Sequence, residues 1–505
     1  MTAIVPLGTR PLTTADVAAV ADGAPIAVSS SVLHAVEAGH GALLDLAATG
    51  TPIYGLTTGV GDRVGDPIGP ADAARRQLVL LASHASGVGE PWEPRVVRAI
   101  TVAVAQALAH ERSGVRATLV ARLVSMLNAG VVPCAPRGGS VGYLIATAHI
   151  GLVAFGRGRA RFGGELLSGA EAMRRAGIPT DGPGPREGLA LISGVHEISG
   201  LGALAVTSVD RVLRSADVAA AMSLEALRGT SSGSDARAQA VRPHPGQAAT
   251  ADRLRALVDG SGILAASRER RLQDALSLRA VPQVHGAARD MLAYATRVIE
   301  TDLNSVTDNP AFVDDGGGLI ALPNANGHGA PGALALDALA IAVSQFTSMS
   351  QARTDRLTTA RLSGLPPFLV DAGGDDPGLM IPAYAAAALS GEVRHLASPA
   401  SVHSVSTSAG QEDHISQGVT AADQAVRAAD LAAGVIAIEL LCAAQGLEFA
   451  TEQPGRGTAA ARALIRSVVP AYAAGREPSL DIAAIRALVV SGELAAVAEA
   501  AAGLR

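Results

Sequence analysis

Residues 331–353 read PGALALDALAIAVSQFTSMSQAR and residues 419–450 read VTAADQAVRAADLAAGVIAIELLCAAQGLEFA. Ala and Leu dominate both, and apolar residues recur at three- and four-residue intervals. That spacing predicts two long helices buried on most sides. Asp337 and Glu439 interrupt the apolar runs, so neither stretch is read as a bilayer span. The same period recurs at 71–87 (ADAARRQLVLLASHASG) and 94–114 (PRVVRAITVAVAQALAHERSG), and through most of 200–300. Breaks fall at 51–70, which is Gly-rich, at 131–142, 178–196 and 229–249, and at the turn-forming NSVTDNPAFVDDGGG of 304–318. Near the start, Thr14 is a candidate N-cap for a first helix. The reading is all-α: a helical bundle with functional loops at helix ends. Sequence order suggests three spans, 1–200 with the loops, 201–450 with the long helices, and a helical tail at 451–505.

Composition narrows the chemistry. The chain has 505 residues, 49% hydrophobic but only 2% aromatic, so the core is built from Ala, Leu, Val and Ile. Its sequence contains no Lys; all 40 basic residues are Arg. A lysine Schiff base and a Walker P-loop are therefore excluded. A net charge of −6 calls for neither a nucleic acid nor an anionic membrane as partner. Two cysteines, Cys134 and Cys442, make no disulfide framework, and the first twenty residues lack the pattern of a signal peptide. The expected compartment is the cytoplasm.

Polar residues gather in the breaks. They are Tyr54-Gly55-Leu56-Thr57-Thr58-Gly59-Val60-Gly61, Ser83-His84-Ala85, Gly139-Ser140-Val141-Gly142, Gln273-Asp274 with Ser277-Leu278-Arg279, Asn304-Ser305-Val306-Thr307-Asp308-Asn309-Pro310, and Gln411-Glu412-Asp413-His414. In this order, over about residues 50–420, the chain resembles the aromatic amino-acid ammonia-lyases of the histidine and phenylalanine type. The resemblance implies the ammonia-lyase (fumarase/aspartase-like) fold, with a small mixed N-terminal domain and a long central bundle. It also implies a homotetramer whose active sites are shared between subunits, acting on a small-molecule carboxylate.

That family builds an electrophile, methylidene-imidazolone, from Ala-Ser-Gly in the loop after Gly-Ser-Val-Gly. Here Gly142 is followed at once by Tyr143-Leu144-Ile145-Ala146-Thr147-Ala148-His149. Ser193 stands where the family has an Asn, Leu276 where it has a Tyr, and Gly327 where it has a Phe. No cofactor is therefore expected. No metal is expected either, because the His and Glu spacings match no metal motif.

The resemblance assigns the remaining roles. Tyr54 matches the catalytic base, which needs a lowered pKa, with Arg279 a candidate cationic neighbour. Arg279 matches the residue that pairs with the substrate carboxylate, and Gln273 lies near the same end. His84 and Glu412 match positions that hold the substrate side chain in the histidine-specific branch. Asn304, His328 and Gln411 are further candidates for substrate binding. Tyr143 and Ser193 join Tyr54 and Glu412 as catalytic candidates, although Tyr143 could equally fill space. His149 is read as holding the loop. The leading expectation is a lyase acting on a histidine-like or aromatic amino-acid derivative by Tyr/Glu acid–base chemistry, without the electrophile. Two alternatives stay open: a conventional histidine ammonia-lyase that does carry the group, and an isomerase, cyclase or non-catalytic homologue.

Overall fold

The computed structural model describes residues 4–270, 272–370 and 376–504. Most of them lie in helices, with short two- and three-stranded sheets between. By its contacts the chain divides into two units, each discontinuous in sequence. The first holds the chain up to Thr207, Ala295–Leu336 and Pro399–Asp423; the second holds Ser208–Tyr294, Asp337–Ser398 and Gln424–Arg505. The three sequence-ordered spans follow chain position, and these units follow contact.

In the first unit, strands Val5–Leu7 and Ile26–Val28 pair in parallel across the helix Thr14–Ala21. The cap of that helix is Thr13, one residue before the expected Thr14. Thr13 and Asp16 form a reciprocal capping box. Thr14 instead donates its backbone N–H to Glu300 Oε1 at 3.0 Å. The helices Pro94–Leu108 and Ala117–Ala129 bury Val97, Ile100, Val104, Leu119, Leu123 and Met126. The helix His196–Ala226 packs directly on the first of these. A Cβ on Gly200 would lie 2.7 Å from the Ile100 backbone, so only glycine permits this approach. This close packing fixes Glu197, one turn earlier, against the loop that follows Gly138.

In the second unit, the core is held by a buried ion pair. Arg353 donates to both oxygens of Glu439, at 2.5 and 2.9 Å. Ser223 donates to the same carboxylate at 2.7 Å. Asp217 accepts from His285, Arg253 and Arg289 at 2.9, 2.8 and 2.6 Å. Its burial opposes ionisation, but those three partners hold its pKa at about 2.

Among the described residues two stretches, Glu187–Ala226 and Ala330–Thr358, are long and apolar enough to cross a membrane by length and composition, although Asp337 in the second was expected to argue against a span. Their apolar windows are 94% and 67% buried inside the protein, so most of that surface faces other side chains.

Candidate active site

Tyr54 sits in a loop braced from within. Thr57 Oγ1 accepts the Ile53 N–H at 2.6 Å, and the Gln77 amide spans the Gly55 carbonyl and the Leu189 N–H at 3.0 Å each. Gly55 has φ +68°, and a Cβ there would lie 2.2 Å from Leu189 Cδ2. The chain therefore turns tightly and presents the Tyr54 ring towards Gly61, whose N–H donates to Tyr54 Oη at 2.8 Å. Gly61 in turn faces the 407–412 turn: a Cβ on it would lie 3.0 Å from Ser408 Oγ. That turn is closed by Thr407 N–H donating to Glu412 O at 2.8 Å and Gln411 N–H donating to Ser408 O at 3.0 Å. Gln411 itself is exposed.

Tyr143 completes the cluster. Its hydroxyl donates to Glu412 Oε2 at 2.9 Å. Burial first, then the Glu412 carboxylate and the Tyr54 ring, push the Tyr143 phenol well above its ordinary value. Tyr54 is also pushed up, by burial and by Glu412, against the opposing Gly61 N–H. This differs from the lowered Tyr54 pKa expected above. The charge felt by Tyr54 within this unit is a carboxylate, which disfavours phenolate. Tyr54, Tyr143 and Glu412 are thus brought together as two phenols around one carboxylate.

A second cluster lies at 327–329 and 414. The Ala330 N–H donates to His328 Nδ1 at 3.3 Å, which leaves the ring proton on Nε2. That nitrogen pairs with His414 Nδ1 at 3.0 Å, and the rings stack with centroids 5.1 Å apart. Gly327 lies beside Thr307 and Gly194; a Cβ there would make ordinary contacts at 3.4–3.6 Å. Ser193 belongs to the same corner, its hydroxyl accepting the Asn309 N–H at 3.1 Å. Asp308, next in the loop, is anchored by the buried Arg186 at 2.5 Å.

Other candidates are placed apart from these clusters. Asn304 is turned to the N-terminal segment: it accepts the Leu12 N–H at 2.7 Å and the Gln106 amide at 3.1 Å, and donates to Leu12 O at 2.8 Å. Its polar atoms are committed, so substrate binding is replaced by a structural tie. His84 ends the helix Pro70–His84, with Nδ1 against Leu80 O at 2.8 Å. A carbonyl can only accept, so Nδ1 carries the proton and Nε2 is left as an acceptor. Gln273 and Arg279 belong to the second unit. Gln273 is exposed, and Arg279 Nε is buried with no hydrogen-bond partner among the described residues. His149 Nε2 is likewise unpartnered there. His414 and Asn309, read only as members of their loops, and Glu197, not singled out at all, also carry geometry at these clusters. A carboxylate within the apolar VHEISG run was the available signal for Glu197.

The arrangement of Tyr54, Tyr143 and Glu412 offers proton donors and an acceptor at one place. The aromatic amino acid lyase family model matches residues 12–467. The chain belongs to the aromatic amino acid lyase family. Among curated relatives, the histidine ammonia-lyase of Caldanaerobacter subterraneus subsp. tengcongensis is 44% identical over 88% of both chains. That of Gloeobacter violaceus is 43% identical over 97% of this chain and 96% of its own. The crystal structure of histidine ammonia-lyase from Trypanosoma cruzi superposes with a TM-score of 0.91 at 35% identity, covering 99% of this chain and 95% of that one. The ammonia-lyase fold read from the loops is therefore the fold of this chain.

The expectation of a lyase without a cofactor is corrected by the same comparisons. Histidine ammonia-lyases 43–44% identical over most of the chain come from a family that uses methylidene-imidazolone, and this conflicts with a cofactor-free enzyme. The residues present do not match the group's usual surroundings: the 139–149 loop has Tyr143 directly after Gly142, and the Ser193 hydroxyl is taken by Asn309 N–H.

Proposed function

We propose that this lyase acts on L-histidine or a close imidazole-bearing amino acid, removing the amine to leave an α,β-unsaturated acid. The observation that carries the reading is the Tyr143–Glu412 hydrogen bond beside Tyr54. Elimination needs a base for the β-proton and a proton for the leaving amine. Tyr54, as phenolate, takes the β-proton; the C–H electrons form the Cα–Cβ double bond, and the amine leaves with the C–N pair. The Tyr143 phenol gives its one proton to the departing amine by turning it away from Glu412, the ring being already held beside that carboxylate. Glu412 also suits an imidazole N–H, and His84 Nε2, unpartnered among the described residues, is a second acceptor of the right kind. The names of the curated relatives favour histidine over aryl amino acids. Arg279 is the natural partner for the substrate carboxylate, since a guanidinium fork matches a carboxylate in two hydrogen bonds. We place it in a homotetramer whose subunits share active sites.

The test compares L-histidine, L-phenylalanine and L-tyrosine with the purified protein, following ammonia release and near-ultraviolet absorbance of the unsaturated acid. Histidine is expected to give a kcat/KM at least about tenfold above the others, the scale of one well-placed polar contact. Turnover of an aryl substrate in preference would overturn the reading. Intact mass and the absorbance of the protein itself read whether methylidene-imidazolone is present. Light scattering should return about four times the 50.6 kDa chain mass.

A further inference from the structure

Glu197 lies one residue into the helix His196–Ala226 and is 1% exposed. Among the described residues no Arg or His is bonded to it. Its Oε1 accepts the N–H groups of Ala146 and Thr147, at 2.6 and 3.2 Å, at the start of the helix Ile145–Ala154. Its Oε2 lies 2.8 Å from Ser140 Oγ. One carboxyl therefore joins both ends of the turn that carries Tyr143. Inside that turn Leu144 adopts φ +86°, a backbone state that a branched side chain does not hold unaided.

Ser140 links Glu197 to Tyr143. Its Oγ is 2.8 Å from the carboxyl and 3.1 Å from Tyr143 O. A serine hydroxyl has one proton, so it cannot donate along both lines. Both bonds form together if Glu197 donates to Ser140 and Ser140 donates to the Tyr143 carbonyl. That order needs a protonated carboxyl, and burial pushes Glu197 in that direction. On the far side the turn is held by Gln417 N–H donating to Val141 O at 2.9 Å.

We propose that Glu197 is the positioning residue for Tyr143: it clasps the 140–147 turn and, through the Ser140 hydroxyl, fixes the Tyr143 backbone where the phenol meets Glu412. The catalytic consequence rests on the proposed role of Tyr143; the clasp itself does not.

Three full-length variants test it: Glu197→Ala, Glu197→Gln and Ser140→Ala. The alanine variants should lose about tenfold in kcat with KM within about twofold, as misplacement of one acid implies. Glu197→Gln should keep at least about half of wild-type kcat, because its amide can accept from Ala146 and Thr147 and donate to Ser140. Alkaline absorbance titration, with the Tyr143→Phe difference isolating one phenol, gives a readout independent of turnover. Tyr143 should ionise at lower pH in both alanine variants than in the wild type. Folded alanine variants with wild-type kcat and wild-type titration would overturn the proposal, and so would a Gln variant as impaired as the Ala variant. If Glu197→Ala fails to fold, Ser140→Ala carries the test, since it leaves the bonds to Ala146 and Thr147 intact. If the wild type turns over no amino acid, the functional reading fails, and the titration still decides the clasp.

Discussion

Tyr54 faces a carboxylate in its own unit, and that sets how a base at this position must behave. Its phenol is held above the ordinary tyrosine range by burial and by Glu412. At neutral pH the phenolate is then a small fraction of the enzyme, and that fraction grows about tenfold for each pH unit below the pKa. For a proton-abstracting Tyr54, log kcat/KM should rise with pH through the neutral and mildly alkaline range with a slope near one. Tyr54→Phe should remove that rise and lower kcat by about 10²- to 10⁴-fold, the usual worth of a general base, with little change in Tm. Steady-state kinetics across pH checks both. A flat profile in the wild type would show that Tyr54 is not the base. At this scale the sequence was legible where a residue type announces chemistry. Tyr54, Tyr143 and Glu412 were each singled out, and the fold places them together. It was illegible where function depends on a partner far along the chain. Asn304 looks like a polar loop residue, yet its amide is spent 292 positions away on Leu12.

Elements set the limits of the site through their buried ends. The 304–310 loop is the clearest case. Arg186, fully buried, donates to Asp308 Oδ2 at 2.5 Å and to Ser113 O at 2.9 Å, and stacks on Phe312 at 4.6 Å. Asp308 Oδ1 accepts the Asn309 N–H at 2.6 Å, and the same N–H reaches Ser193. Removing the guanidinium would strand a buried carboxylate beside the site. Arg186→Met is expected to destabilise the fold by about 3–5 kcal/mol, the cost of an uncompensated buried charge. Arg186→Met with Asp308→Asn should recover much of that, because the charge goes with its partner. Urea unfolding of Arg186→Met, Asp308→Asn and the double variant measures it, and additive losses in the double variant would sink the argument. None of this was legible from spacing. Arg186 sits in a DGPGPRE break that reads as an exposed turn, and its φ of +70° and its burial are set by the tertiary packing. Helix spacing, in contrast, predicted the long helices well, because Ala/Leu periodicity is local. In the short first helix the cap is Thr13 and not Thr14, because Thr13 and Asp16 close the capping box between them.

For the whole molecule, buried groups of opposite sign shape the acid limb of stability. His196 is buried with its pKa lowered by desolvation to about 4. Between about pH 6.5 and 4 the unfolded chain binds a proton there that the native state refuses, so His196 makes stability fall on acidification. Asp302, near the end of the helix Val281–Leu303, is raised by burial from 3.8 to about 6. Between about pH 4 and 6 the native state holds the proton more tightly than the unfolded chain, so this group makes stability fall as pH rises. Above about pH 6 its burial penalty is complete. Asp302→Asn should therefore raise Tm at pH 7 and leave it near wild type at pH 4, with the difference growing across that window. His196→Gln should flatten the profile in the opposite sense, mainly between pH 6.5 and 4. Calorimetry of both variants across pH 4–8 separates them. If Asp302→Asn shifted Tm equally at every pH, the effect would be one of packing and not of a charge held out of water, and the carboxyl would have no part in the pH response.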